Sequence, residues 1–192
     1  MTFLYIVRCN FAARAREAAW NAWYSGPKIA QMLRLPHFLS CQRFRRAAGQ
    51  GRDYLALWTM RSPQAMQTPE YLAQWGFDEW TSLISDWSRD LFDAGSIPAA
   101  AFAVPAGGAL RTIAFDGLSE DEADRLSSAV ARSDPGVVWL PIAGLDAHTP
   151  LIGLQVLAAP SPAPVPAHDR DPRVQEVIYR PVSEFRTAAV NP

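Results

Sequence analysis

The stretch WYSGPKIAQML carries Lys28, the sole lysine in a chain that has 17 arginines. An amine can hold a carboxylate or, when desolvated, act as a base or an imine-forming nucleophile. Ser25, Gly26 and Pro27 read as a break that ends one helix and starts another at Pro27. That puts the ammonium at a helix start, where the dipole favours anions. Two readings stand: a solvated surface ammonium, or a cation held there by tertiary structure. His37 follows Pro36 at a strand entrance, as a general acid or base near neutral pH or as a solvated loop histidine. With Tyr24 these make the candidate catalytic set Lys28, His37 and Tyr24. Arg43 and Arg45 alternate with Cys41 along a predicted strand, so all three share a face, which is either an anion-holding cavity or an exposed sheet edge. Trp23, and Tyr71, Trp75, Asp78 and Trp80 around Gly76, are pocket wall or core. Together with Arg43 they are the candidate substrate-binding residues.

Other motifs point away from chemistry. Asp86 and Asp90 flank Trp87 in DWSRD at i, i+4 spacing with Arg89 between them, which suits a salt-bridged face better than an acid-base pair. His148 and His168 stand in turn and loop contexts without a third ligand at metal spacing. Gly107-Gly108 has no strand-to-helix phosphate cradle around it. Neither a metal nor a nucleotide is expected.

The elements that must position these residues divide by composition. Residues 1–95 hold six of the seven tryptophans and 11 basic against 8 acidic side chains, and residues 96–192 hold 7 basic against 11 acidic and most of the prolines, so two units are expected. A linker is read at 96–109. In the first unit a strand at 3–9 leads through Asn10 into a helix. Helix 27–35, strands 38–45 and 53–60, and a helix opened by Ser62-Pro63 follow. Trp80, Ile84, Trp87 and Leu91 recur at one helical face, and the last strand falls at the end of SRDLFDAG or in the linker. The second unit, 110–186, repeats the order. A strand at 110–115 precedes a helix begun by the capping box Ser119 to Glu122, and strands at 137–142, 151–157 and 174–179 follow. A Pro-rich loop at 159–173 stands in place of its second helix. Two successive strand-helix-strand-strand units predict an α+β fold of tandem ferredoxin-like halves, the first intact.

With 49% apolar residues the chain of 192 can fill a core. Charged residues are 19%, below the roughly 25% usual for soluble domains, and aromatics are 11%, so some apolar surface is expected to meet a ligand or a second copy as a homodimer. Net charge of −1 leaves no basic footprint for nucleic acid or anionic membrane. The opening MTFLYIVRCNF lacks the basic start of a signal peptide, and no run reaches the roughly 18 apolar residues of a span, so a cytoplasmic protein is expected. Cys9 and Cys41 read as free buried thiols, a disulfide between neighbouring strands being the alternative.

The run WNAWYSGPKIAQMLRLPHFLSCQRFRRA, with YLALWTM and TPEYLAQWGFDEWTSLISDWSRDLF after it, resembles the dimeric α+β barrel superfamily and within it the EthD-like proteins. Their motif W-Y-x-x-x-H-[IL]-P, a turn into a strand and an arginine-aromatic pair are matched here by Trp23, Tyr24 and Arg43-Phe44. Lys28 stands where the family's histidine usually stands, Ala30 replaces the proline, and Pro36-His37-Phe38 replaces the turn. The resemblance covers residues 1–94, and 109–186 by order of elements only. It implies a (pseudo)dimeric barrel with a cavity for a small apolar or aromatic molecule. Three functions follow. The first is a lyase, dehydratase, cyclase or isomerase without metal or nucleotide cofactor, acting by acid-base chemistry on an aromatic or polyketide-like compound. The second is a non-catalytic binding protein with the same cavity. The third is an oxygenase, cofactorless or haem-linked; haem needs an axial ligand, for which His37 is the first unit's candidate.

Overall fold

The structure is a computed structural model that describes residues 1–158 and 173–189. Its strands are β1 (Phe3–Phe11), β2 (Phe38–Gly49), β3 (Tyr54–Met60), β4 (Ile84–Asp93), β5 (Ala109–Ala114), β6 (Val138–Leu145), β7 (Leu151–Leu157), β8 (Gln175–Pro181) and the two-residue β9 (Arg186–Thr187). Its helices are α1 (Glu17–Trp23), α2 (Ile29–Met32), α3 (Pro69–Leu72) and α4 (Glu120–Ser133). The antiparallel order β3-β1-β4-β6-β7-β5-β8-β2-β9 is closed by a further β3–β2 pairing, so eight strands form a barrel and β9 extends the edge of β2.

Each half has the ferredoxin-like order, β4-β1-β3-β2 and β8-β5-β7-β6. The halves close on each other reciprocally. The outer strand β4 of the first pairs with β6 of the second, Phe92 opposite Ile142, and β8 of the second pairs with β2 of the first, Arg45 opposite Arg180. The close approach of β8 to β2 needs Gly49: its φ is +86°, and a Cβ there would lie 2.1 Å from the Glu176 carbonyl oxygen.

Alternation along the strands sorts side chains between two layers. Leu4, Ile6, Phe44, Leu55, Leu57, Phe92, Leu110, Ile152, Leu154 and Val177 fill the barrel interior. Tyr5, Val7, Cys9, Cys41, Tyr54, Trp58 and Leu91 face outward, under α1, α2 and the 62–83 segment. In the second half α4 covers Ile113 and Phe115 with Ala123 and Val130, its start fixed by the expected capping box of Ser119 and Glu122.

Two expectations for the first half are corrected. The predicted break at Ser25-Gly26-Pro27 is a π-turn (Tyr24–Lys28) that runs from α1 into α2 without leaving helical dihedrals. Pro27 has no N–H to donate, and the wider turn accommodates its ring. Lys28 therefore lies inside a helical run, and the dipole argument for its position lapses. The predicted helix through Trp80, Ile84, Trp87 and Leu91 is a 3₁₀ turn (Asp78–Leu83) followed by β4, so the first half lacks an intact second helix. Gly76 at φ +98° and Asp78 at φ +48° break the helical path, and residues 84–93 take their backbone partners from β1, Leu91 opposite Tyr5 and Phe92 opposite Leu4.

Candidate functional site

Between the outward face of the first half's sheet and its helical layer lies a cavity of about 390 Å³. Tyr5 and Val7 of β1, Trp58 of β3 and Ile84, Trp87 and Arg89 of β4 form its sheet side. Tyr24, Lys28 and Met32 descend from the helix, and residues 75–78 with Thr81 close the remaining side. The volume falls within the usual range of roughly 300–1,000 Å³ for small-ligand sites.

Lys28 is 3% exposed. Its Nζ donates to the Gln74 carbonyl at 2.5 Å, lies 3.6 Å from Asp78 Oδ1, and sits 5.6 Å from the centre of the Trp23 ring. Burial pulls the amine below its usual pKa, and Asp78 opposes that pull. The solvated-ammonium reading is excluded. Asp78 holds the left-handed conformation that Asp tolerates, and its carboxylate remains half exposed.

Arg89, on the same cavity's wall, stacks on Trp75, 4.6 Å from the ring centre, and on Trp87 at 5.7 Å. Its Nε and Nη2 donate to Asp146 Oδ1, each at 3.3 Å. Burial opposes the guanidinium charge, but Asp146 and the phenol of Tyr71 more than restore it. The Tyr5 and Tyr71 hydroxyls meet at 3.1 Å. Burial holds the Tyr5 phenol well above its ordinary pKa, and Tyr24 is raised likewise, so both are proton donors at neutral pH.

Of the predicted site residues, the fold brings Tyr24, Lys28, Trp75 and Asp78 to the cavity wall, with Tyr71 behind Tyr5 and Trp23 against the Lys28 amine. Trp80 is core, packed on Phe11 and Trp23. Arg43 neither lines the cavity nor edges the sheet. It is 1% exposed, 4.2 Å from the Tyr24 ring centre and 4.6 Å from that of Trp20, and donates to Ser25 Oγ at 2.9 Å, so it bolts β2 to the helical run. Arg45 is exposed beside Glu17. His37 lies outside, exposed in a turn at φ +72° on a different groove. Tyr5, Trp58, Trp87 and Arg89 were missed. Reading 84–93 as a strand would have found Trp87 and Arg89, which alternate with Leu91.

Asp86 and Asp90 prove ion-paired, Asp90 to Arg8 at 3.0 Å and Asp86 to Arg52 at 3.2 Å. Cys9 and Cys41 are free and buried, and burial pushes the Cys9 thiol up to about 12. His148 lies near Asp90 at one end of the barrel, and His168 falls outside the described residues. Among the described residues no three His, Cys, Asp or Glu side chains converge as a metal site. The cavity wall offers no imidazole or thiol, and His37, the expected axial candidate for a haem, is not on it.

No family model matches the chain, and no curated protein matches it significantly. Solved structures do. An anthrone oxidase-like protein superposes with a TM-score of 0.60 at 11% identity, covering 98% of this chain and 94% of that one. A chlorite dismutase from Candidatus Nitrospira defluvii, in complex with imidazole, superposes with a TM-score of 0.51 at 8% identity, covering 94% and 91%. The chain has the dimeric α+β barrel fold. At such identities the likeness carries the fold alone. No helix among the described residues is long and apolar enough to cross a membrane.

Proposed function

We propose that the chain is a small-molecule enzyme that removes and returns a proton on an aromatic or polyketide-like compound bearing an ionisable oxygen, a lyase, dehydratase, cyclase or isomerase reaction without metal or nucleotide. The observation that carries this reading is a buried amine, Lys28, on the wall of an aromatic cavity that the guanidinium of Arg89 also lines. An aromatic body packs against Trp58, Phe77 and Trp75. Its oxygen faces Arg89 and the Tyr5 hydroxyl, donors suited to an enolate or phenolate. The lowered pKa of Lys28 raises its neutral fraction, so the amine takes the proton from carbon and Asp78 passes it to solvent. Anthrone, the compound in a structural neighbour's name, is an aromatic ketone whose conjugate base is a stabilised enolate, and a compound of that class suits an aromatic cavity lined by these two cations. Within the barrel group, Trp23, Tyr24 and the Arg43-Phe44 pair support an EthD-like relationship in which Lys28 replaces the family's histidine.

The cavity holds three tryptophans, so binding is read by quenching of their fluorescence. Titration with 2-naphthoate or anthrone should quench saturably, and Lys28→Met should weaken the anion by about 1.5–3 kcal/mol, the range for a hydrogen bond to a charged group. Equal affinity in the variant would overturn the reading. Non-catalytic binding is the second reading, favoured by the fact that both cations already hold partners, Gln74 and Asp78 for Lys28 and Asp146 for Arg89. Saturable binding without exchange of the ligand's acidic C–H for deuterium would select it. Carbanion formation also precedes direct reaction with dioxygen, and oxygen uptake identifies an oxygenase.

A further inference from the structure

His37 marks a different feature. A groove of about 1070 Å³ runs between the turn after α2, the end of β3 and the segment around β9. Leu33, Leu35, Phe38 and Leu39 make its floor. Arg34, His37, Arg61 and Arg186 stand along it, and no acidic residue lines it. Among the described residues none of those three guanidiniums has an ion-pair partner, although Arg8, Arg45, Arg46, Arg52, Arg89 and Arg111 are each matched to a carboxylate. In a chain of net charge −1 this concentrates unmatched positive charge on one apolar concavity. The backbone fixes the arrangement. The Arg61 N–H donates to the His37 carbonyl at 2.8 Å, tying the turn to the end of β3, and the Ala188 N–H donates to the Leu39 carbonyl at 2.8 Å, tying the β9 segment to the start of β2. His37 is held at φ +72°, a conformation that costs energy for a residue with a Cβ.

We infer that this groove is a second binding site, for an amphiphilic organic anion with an apolar chain or ring and a phosphate, sulfonate or carboxylate head. Guanidinium groups are weakly hydrated and match such heads in bidentate fashion, and the leucine and phenylalanine floor takes the apolar part. It shares no lining residue with the Lys28 cavity. The two lie back to back across one short helix, Lys28 and Met32 on one side and Ala30 and Leu33 on the other.

Octyl phosphate, titrated below its micelle concentration into the full chain by calorimetry, tests this. Saturable one-to-one binding is expected, tighter than for 1-octanol, weakened by added salt, and weakened tenfold or more in Arg61→Gln/Arg186→Gln while Lys28→Met leaves it unchanged. These arginines are exposed, so the double variant should keep the wild-type melting curve, and circular dichroism checks that it does. No saturable binding, equal affinity for octanol, or loss in Lys28→Met with the arginine variant unaffected would each overturn the proposal. Sedimentation with anionic phospholipid vesicles in the absence of octyl phosphate binding would assign the basic face to a lipid surface and overturn it too.

Discussion

Two of the buried cations of the first half, Lys28 and Arg43, play opposite roles. Lys28 has a carboxylate within reach and a cavity before it, and its lowered pKa has a consequence for stability. As pH rises, the folded chain releases this proton before the unfolded chain, whose lysine titrates near 10.5. Between those two values the unfolded state holds the extra proton, so stability from this group increases with pH in that window and is flat below it. Unfolding measured from about pH 7 to about pH 11 should show that slope in the wild type and lose it in Lys28→Met, relative to the rest of the chain's titration. Arg43 instead faces aromatic rings, a hydroxyl and a backbone carbonyl, with its Nη2 buried and unpartnered. Replacing a buried unpaired charge with an apolar group of similar volume is often neutral or stabilising, so Arg43→Met should change stability by less than about 1 kcal/mol. Arg43→Ala removes the stem that fills the space between Tyr24 and Trp20 and should cost about 2–4 kcal/mol in urea denaturation.

At the scale of elements, the π-turn decides what the helix presents. A π-turn is an α-helix widened by one residue, and each residue advances the helix by about 100°. Inserting an alanine after Gly26 adds a residue that the turn has not already absorbed and should swing Lys28 and Met32 off the cavity wall, so quenching by 2-naphthoate should fall at least as far as in Lys28→Met. Gly26→Ala tests the element without moving it. A Cβ at Gly26 meets nothing within 4 Å, and its φ is not positive. That substitution should stabilise the chain by about 0.5–1 kcal/mol, read as a raised melting temperature, with ligand binding unchanged.

For the whole molecule, closure within one chain means that no second copy is needed to complete the barrel. The halves are also joined by charge at one end, where Arg8 of β1 reaches Asp90 of β4 and Asp116 beyond β5, and Arg52 reaches Asp116 and Asp86. Asp90 is fully buried and also accepts the His148 N–H at 2.8 Å. Asp90→Ala should therefore cost about 3–5 kcal/mol by urea denaturation, because it leaves the buried Arg8 short of a partner. Residues 1–95 expressed alone would leave the edges of β2 and β4 unpaired. Since those edges pair with β8 and β6, their counterparts in the second half, two copies should pair reciprocally. Sedimentation should show a dimer rather than a monomer.

Local patterns carried much of this in the sequence. Apolar β-rich runs between turn residues located seven strands, Ser119 with Glu122 located the start of α4, and the repeated order of elements implied two halves that close together. The stretch around Trp23, Tyr24, Lys28, Trp75 and Asp78 stood out because a sole lysine and clustered aromatics are visible without coordinates. What the sequence left open depended on partners distant along the chain. Trp87 and Leu91, four residues apart, share a face in a helix and in a strand alike, and only pairing with β1 made 84–93 a strand and set Arg89 in the cavity wall. Pro27 reads as a break unless the packing of Tyr24 and Lys28 on the sheet holds a widened turn through it. His37 lies nine residues from Lys28, yet the turn after α2 carries it to another groove. Arg43 looks like a ligand for anions until three aromatic rings close around it. Side-chain type and spacing are local properties, whereas burial, strand pairing and the partners of a charge come from the closed barrel.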